Sequence, residues 1–117
     1  MQSAAWVELV GDIIIARIRG IPTEALVRDC QQRVVSLLQD TEYRKILYDA
    51  LELEAPSVDV TLVQQNLSED LHERDSKIAL VVPNTRIAYL SRLAFGSGNH
   101  RVFYNDMSAA LRWLDHK

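Results

Sequence analysis

The sequence has few of the features that stabilise a chain by means other than a packed core. It contains one cysteine, Cys30, in 117 residues, so the chain can form no internal disulfide. Basic residues number 13 against 16 acidic residues, which gives a net charge of -3. Because a phosphate backbone attracts basic surfaces, a chain without an excess of positive charge is not expected to bind nucleic acid.

Long apolar runs are also missing. The run at 78–83 is far shorter than the roughly 20 residues of a transmembrane helix, and the first residues lack the basic region of a leader peptide. We therefore expect no membrane insertion and a cytoplasmic location. No repeat, low-complexity tract or Gly/Ser linker divides the chain, and 48% of its residues are hydrophobic. Residues 1–117 are expected to form one domain.

The start of the chain predicts a hairpin followed by a helix. Apolar and β-branched residues at 6–10 and 13–19 flank Gly11-Asp12, a pair that suits a tight β-turn. Thr23 is expected to cap a helix that runs to about residue 39. Its apolar residues recur every three or four positions: Leu26, Val27, Cys30, Val34, Leu37 and Leu38. We interpret Cys30 as a buried core residue.

The rest of the chain alternates strands with helices. Strands are predicted at 45–51, 78–83 and 101–104, and the helices between and after them begin near Ser57, near Thr85 and at Asn105 or Asp106. The order β-β-α-β-α-β-α-β-α predicts an α/β fold with a mixed, mostly parallel five-stranded sheet, because strands separated by helices are joined by right-handed crossovers.

This order of elements, with three stretches of sequence, resembles the SpoIIAA-like branch of the STAS superfamily (sulfate transporter and anti-sigma factor antagonist domains). The stretches are KILYD at 45–49, KIALVVP at 77–83 and RVFYNDMSAALRWL at 101–114. The last, a strand ending in Phe-Tyr before a capped helix that contains Ala-Leu-x-Trp-Leu, is similar to the end of small bacterial SpoIIAA-like proteins. The resemblance covers nearly the whole chain.

The resemblance implies a non-catalytic regulatory or protein-interaction module, since STAS domains commonly bind partner proteins. In the better-known antagonists, a serine at the start of the second helix is phosphorylated. Ser57 matches that position, and Asp49 matches the acidic residue that ends the third strand. The turn at 55–59 lacks the second serine and the glycine of that motif. The alternative is that Ser57 is a helix cap and nothing more.

Patterns of catalytic or metal-binding residues do not occur in the sequence. His72, His100 and His116 are far apart along the chain, so their spacing does not bring them together, and no metal motif is present. The glycine loop at 96–98 closes a helix, whereas a phosphate-binding loop opens one. We expect the protein not to be an enzyme and to need no cofactor or metal.

A binding site is expected at the carboxyl ends of the parallel strands, where helix N-termini present free N–H groups. The loops 49–57, 83–85 and 104–106 end there. The candidate binding or switch residues in these loops are Asp49, Asn84, Thr85 and Asn105. For the last three, helix capping is the alternative.

The third helix is a candidate contact surface for a partner protein or a second copy. It carries Tyr89, Leu93 and Phe95 outside its main apolar stripe, and aromatic residues are enriched in interface cores. The alternative is that Leu93 and Phe95 widen the buried face. A different function also stays open, because STAS folds resemble the Sec14 lipid carriers. A small ligand or lipid would then lie between the helices and the sheet.

Overall fold

The computed structural model describes residues 3–96 and 98–116. Within them, strands and helices follow in the predicted order. The strands are β1 (Ala4–Val10), β2 (Ile13–Arg19), β3 (Lys45–Asp49), β4 (Lys77–Val82) and β5 (His100–Tyr104). The helices are α1 (Glu24–Asp40), α2 (Val58–Glu73), α3 (Thr85–Phe95) and α4 (Met107–Asp115).

The five strands form one sheet in the order β1-β2-β3-β4-β5. β1 and β2 are antiparallel and are joined by a two-residue turn, in which Gly11 adopts a φ of 61°. A positive φ costs glycine little, which explains its place in the turn. The pairs β2–β3, β3–β4 and β4–β5 are parallel. The predicted mixed, mostly parallel sheet is therefore confirmed.

Helices cover the two faces of the sheet unequally. Helices α1, α2 and α3 pack on one face, around a core that includes Val34, Leu71 and Ile87. Helix α4 packs on the other face against Leu47 and Val81. Within the described residues α4 lies over β3, β4 and β5. Most of β4 is buried, as its uninterrupted apolar sequence predicts for a strand covered on both faces.

Two of the predicted helix caps are confirmed. The hydroxyl of Thr23 accepts a hydrogen bond from the backbone N–H of Leu26 at 3.1 Å, at the start of α1. The hydroxyl of Ser57 accepts one from the N–H of Val60 at 3.2 Å, at the start of α2. Each bond satisfies one of the N–H groups that a first helical turn leaves without a partner.

The predicted cap at Thr85 is wrong by one residue. Helix α3 begins at Thr85, and its N-cap is Asn84, whose Oδ1 accepts from the N–H of Ile87 at 2.9 Å. Asparagine is at least as good an N-cap as threonine, so the helix starts earlier. Before α4, Asp106 is the cap, while Asn105 adopts a φ of 49° and forms the turn.

Candidate functional site

The loops that follow β3, β4 and β5 meet at one rim of the sheet, as the parallel topology predicts. The backbone N–H of Ala50 donates to the carbonyl of Val81 at 2.9 Å, which ties the end of β3 to β4. Asn105 ties the end of β5 to β4, since its backbone N–H donates to Val82 at 2.9 Å and its side-chain amide to Pro83 at 3.2 Å. The rim is thus held together by two backbone hydrogen bonds and one from the Asn105 side chain.

Asp49 is buried at this rim, with 9% of its surface exposed. Its Oδ2 lies 3.3 Å from the Nε of Arg17, its neighbour on β2, and its Oδ1 accepts from the N–H of Leu51 at 3.2 Å. Strand alternation places it on the same side as Leu47, which belongs to the core under α4. Both oxygens therefore bind groups of the protein itself.

Ser57 is exposed at the start of α2 while it caps the helix. Its carbonyl accepts from the backbone N–H of Thr61 at 3.0 Å and from the Thr61 hydroxyl at 2.9 Å. A phosphate on the Ser57 hydroxyl would gain from the N–H groups of the first turn, and it would face the like charge of Asp59 in the same turn. Both hypotheses for Ser57 are compatible with this geometry.

The other predicted rim residues have structural roles or face solvent. Asn84 caps α3, and the amide of Asn105 bridges two loops. Thr85 is exposed on the first turn of α3. The capping alternative therefore holds for Asn84, and Asn105 is explained by its turn. A role for any of the three in binding stays a prediction.

The predicted contact helix is exposed at two of its three candidate residues. Tyr89 is 62% exposed and Leu93 is 44% exposed, one turn apart on α3. Phe95 is 5% exposed, and its ring packs against those of Tyr48 and His100 at centroid distances of 5.0 and 6.3 Å. The inclusion of Phe95 in a contact surface is therefore wrong, because the last turn of α3 points this ring into the core.

Helix α2 contributes exposed apolar residues that sequence reasoning missed. Val58 is 72% exposed and Leu62 is 51% exposed, and α2 packs directly against α3. Both helices begin at the rim, and Leu62 and Tyr89 are each the fifth residue of their helix. The two residues therefore lie at similar distances from the rim along the helices. The i, i+4 spacing of Val58 and Leu62 was the available signal. We call Val58, Leu62, Tyr89 and Leu93 the α2–α3 surface.

A cavity of about 70 Å³ lies between α2, α3 and the sheet. Its lining is mostly apolar and includes Ile18, Val27, Tyr48, Leu80, Ile87 and Phe95. A cavity of roughly 150 Å³ is known to bind a benzene molecule. The present volume is therefore too small for a lipid chain unless the helices move apart.

The buried nucleophile candidates are held in their neutral forms. Cys30 is 2% exposed, as expected of a core residue, and its burial raises the pKa of the thiol to about 12. Burial also raises the pKa of Tyr48 well above its usual range, and the nearby Cys30 adds to that shift. A thiol needs its thiolate form to react, so Cys30 is inert in the folded chain.

Two histidines meet, although their spacing in the sequence does not bring them together. The rings of His72 and His100 are 6.5 Å apart, where the end of α2 meets the start of β5. The Nε2 of His72 lies 2.6 Å from the carbonyl of Phe95, and the Nδ1 of His100 lies 3.2 Å from that of Gly98. Burial lowers the pKa of His100. Ser97, in the predicted glycine loop, lies outside the described residues.

Residues 3–96 and 98–116 contain no group of three His, Cys, Asp or Glu side chains placed to hold a metal ion. Within the same residues, every helix is too short or too polar to cross a lipid bilayer.

Comparison with known proteins identifies the fold. No protein-family model matches the chain, and no curated protein matches it in sequence. Solved structures match along almost its full length. An uncharacterised protein of the DUF3478 family with a SpoIIAA-like fold, from Shewanella loihica, is 21% identical with a TM-score of 0.70, covering 96% of this chain and 93% of that one.

Two anti-sigma factor antagonists have the same architecture. The antagonist from Mycobacterium paratuberculosis is 13% identical with a TM-score of 0.71, covering 98% of this chain and 96% of that one. SpoIIAA in its unphosphorylated form is 12% identical with a TM-score of 0.72, covering 97% of this chain and 100% of that one. The chain has the SpoIIAA-like fold, so the resemblance seen in the sequence is confirmed at the level of the fold.

Proposed function

We propose that the chain is a non-catalytic regulatory module that binds a partner protein through the α2–α3 surface. The observation that carries this proposal is the exposure of Val58, Leu62, Tyr89 and Leu93 on two adjoining helices. Apolar side chains grouped on a surface are typical of a contact site, because their burial against a partner releases ordered water. The shared fold with two anti-sigma factor antagonists supports a regulatory role.

We further propose that phosphorylation of Ser57 regulates this contact. Ser57 is exposed and directly precedes Val58, which belongs to the α2–α3 surface. A phosphate would add nearly two negative charges at the edge of an apolar contact, where burial of charge is costly. We therefore expect the phosphorylated form to bind its partner more weakly than the unmodified form.

The partner hypothesis is tested by affinity purification from cells in which the chain naturally occurs. Wild-type protein is compared with Leu62→Asp and Tyr89→Asp, and with Leu111→Asp as a control, since Leu111 is also exposed but lies on α4. We expect a co-purifying polypeptide with the wild type and the control, and its loss with the other two variants. Equal recovery with all four proteins contradicts the proposal.

The phosphorylation hypothesis needs a separate measurement. The intact mass of the protein is recorded after incubation with cell extract and ATP, beside Ser57→Ala. A phosphate on the wild type that is absent from Ser57→Ala supports the switch. If neither protein gains a phosphate, or both do, then Ser57 acts as a helix cap alone. Its replacement by alanine would then cost about 1 kcal/mol of stability.

The apolar cavity supports binding of a small ligand as a second candidate function. In the present arrangement its volume admits a molecule of a few heavy atoms. Native mass spectrometry of protein purified from cell extract discriminates the two functions: a retained small mass favours the ligand, and a co-purifying polypeptide favours the module. Ala94→Leu is the matched variant, because Ala94 lines the cavity and a larger side chain would fill it.

A further inference from the structure

Strand β1 forms an edge of the sheet and pairs with β2 on one side. It is seven residues long, contains neither proline nor lysine, and carries Glu8 as its one charged residue. Trp6, Leu9 and Val10 are 44%, 39% and 49% exposed. Proteins that avoid edge pairing place prolines, lysines or bulges on such strands. β1 lacks these devices, so its outer edge is suited to adding another strand.

The hairpin geometry fixes which backbone groups of β1 point outward. Val10 and Ile13 flank the two-residue turn and face each other in the register. In a two-residue hairpin this pair is hydrogen-bonded, and hydrogen-bonded pairs then alternate along the strands. The N–H and C=O groups of Ala5, Val7 and Leu9 therefore point away from β2. They form a row of donors and acceptors along the outer edge.

The side chains next to this edge carry complementary charges. The guanidinium of Arg19 lies over the ring of Trp6, 4.9 Å from its centroid. The Nε of Arg19 is buried and has no hydrogen-bond partner among the described residues. Glu8 is exposed, and no ion pair within the described part of the chain involves Glu8 or Arg19. A buried donor without a partner is costly, which favours an acceptor supplied from outside.

We propose that a second copy of this chain pairs with β1 in the antiparallel direction, about a two-fold axis at Val7. In this register the outward groups of Val7 bond with those of the partner's Val7, and those of Ala5 bond with the partner's Leu9. Trp6 then lies opposite the partner's Glu8, with the Cβ atoms of the two residues about 5 Å apart. The partner's Glu8 carboxylate can therefore reach the Arg19 guanidinium on the Trp6 ring. Symmetry gives the same contact twice.

Other symmetric registers fit less well. An axis at Glu8 would place the two Glu8 carboxylates directly opposite each other, and like charges in that position are destabilising. An axis at Trp6 or Ala5 would leave the end of β1 without a partner and move Glu8 away from Arg19. The register at Val7 pairs all seven residues of the strand. A second copy is favoured over an unrelated strand because one chain supplies both charges of the contact, Glu8 from β1 and Arg19 from β2.

The dimer proposal is independent of the α2–α3 surface. Helix α1 covers β1 and β2, whereas α3 contacts β4 and β5 near the opposite edge of the sheet. Pairing through β1 would join the two sheets into one of ten strands. The α2–α3 surfaces of both copies would remain accessible.

A charge exchange tests the contact between Glu8 and Arg19. Sedimentation equilibrium is recorded for the wild type, for Glu8→Arg, for Arg19→Glu and for an equimolar mixture of the two variants. We expect each variant alone to dimerise at least roughly tenfold more weakly than the wild type, because each places like charges in contact twice. The mixture restores opposite charges at both contacts, so we expect a heterodimer of about wild-type affinity.

A backbone substitution tests the strand pairing separately. The Val7 N–H points outward, so Val7→Pro removes a donor of the dimer while leaving the β1–β2 bonds in place. Val7→Thr keeps the donor and is the matched control. We expect monomers from the first variant and dimers from the second, with native circular dichroism in both. In the wild type, amide exchange at Val7 should slow as protein concentration rises.

Several results would overturn the proposal. A wild type that is monomeric from nanomolar to millimolar concentration rules out the dimer. A dimer that Val7→Pro leaves intact, or that the mixed charge variants fail to restore, uses another surface. If β1 is instead found bound to a different protein, the choice of a second copy is wrong. None of these results depends on Ser57 or on α2. The proposed regulatory function is therefore tested independently of the dimer.

Discussion

Replacement of Phe95 by alanine is expected to destabilise the protein strongly, while replacement of Tyr89 on the same helix is not. Phe95 is 5% exposed and packs against Tyr48, whereas Tyr89 is 62% exposed. Phenylalanine to alanine substitutions in cores cost about 3–5 kcal/mol. Exposed positions away from special features change stability by about 0.5 kcal/mol or less. The two substitutions therefore separate a core role from a surface role on one helix.

The cavity beside Phe95 places the expected cost near the lower end of that range. Phe95 lines the cavity of about 70 Å³, so part of its ring already lacks neighbouring atoms. Contacts that do not exist cannot be lost, and we expect a loss of about 3 kcal/mol. Given an unfolding entropy of about 2.1 cal/mol/K per residue, this loss corresponds to a fall in Tm of roughly 12 °C for the whole chain.

Urea unfolding followed by far-UV circular dichroism measures both free energies of unfolding. Phe95→Leu serves as the intermediate variant, because it keeps most of the apolar volume and should lose less than Phe95→Ala. The m-value should stay constant across the series, since the surface exposed on unfolding is nearly unchanged. A loss below about 1 kcal/mol for Phe95→Ala, or an equal loss for Tyr89→Ala, would refute the assignment of Phe95 to the core.

Three further predictions concern the buried thiol and the pair of histidines. Because burial raises the pKa of Cys30 to about 12, a thiol reagent at mildly alkaline pH should label it at the rate of unfolding, and labelling faster than that contradicts its burial. A Cβ at position 98 would lie 1.9 Å from the ring of His72, so Gly98→Ala should destabilise the fold and His72→Ala should relieve much of that cost in a double-mutant cycle. Burial lowers the pKa of His100 below its usual 6.5, so its neutral form stabilises the fold above that pH and the stabilisation is lost as pH falls through the lowered pKa. Urea titrations at several pH values should show this loss of unfolding free energy in the wild type and a smaller loss in His100→Asn. If the free energy of unfolding depends on pH equally in both proteins, His100 is not the source.

The elements that were predicted correctly are those whose signals are local. The uninterrupted apolar run of β4 predicts a strand covered on both faces, and all of its residues from Ile78 onward are buried. The hairpin turn depends on Gly11, which takes the positive φ that the turn needs. Thr23 and Ser57 cap helices where a polar residue precedes an apolar repeat. In each case the physical cause lies within a few residues of the effect.

The helix faces were harder to predict, because small polar residues lie on buried stripes. On α2 the buried residues are Thr61, Ser68 and Leu71, whereas the apolar Val60, Val63 and Leu67 are only partly buried. The Ser68 hydroxyl is satisfied within the helix, since it donates to the carbonyl of Gln64 at 2.7 Å. A serine with such a bond can face the core at little cost. The apolar pattern alone therefore misplaces the face of α2.

The meeting of His72 and His100 could not be predicted from spacing because it depends on the topology. His72 lies near the end of α2, and His100 begins β5, 28 positions later. Crossover helices return the chain to the amino ends of the parallel strands. The end of α2 and the start of β5 therefore both lie at the end of the sheet where the parallel strands begin. Contacts of this kind follow from the strand order, which periodicity does not specify.

The arrangement of the two proposed interfaces has a consequence for binding by a bivalent partner. In the β1-paired dimer, β4 of one copy and β4 of the other are separated by seven strand spacings, or about 34 Å at roughly 4.8 Å each. Helix α3 contacts β4 and α2 lies between α1 and α3, so the two α2–α3 surfaces are separated by about this distance. A partner with two binding segments gains avidity when its linker spans this distance and gains none when the linker is shorter. Val7→Pro should therefore weaken binding of a long-linked bivalent partner while leaving the affinity of a single binding segment unchanged.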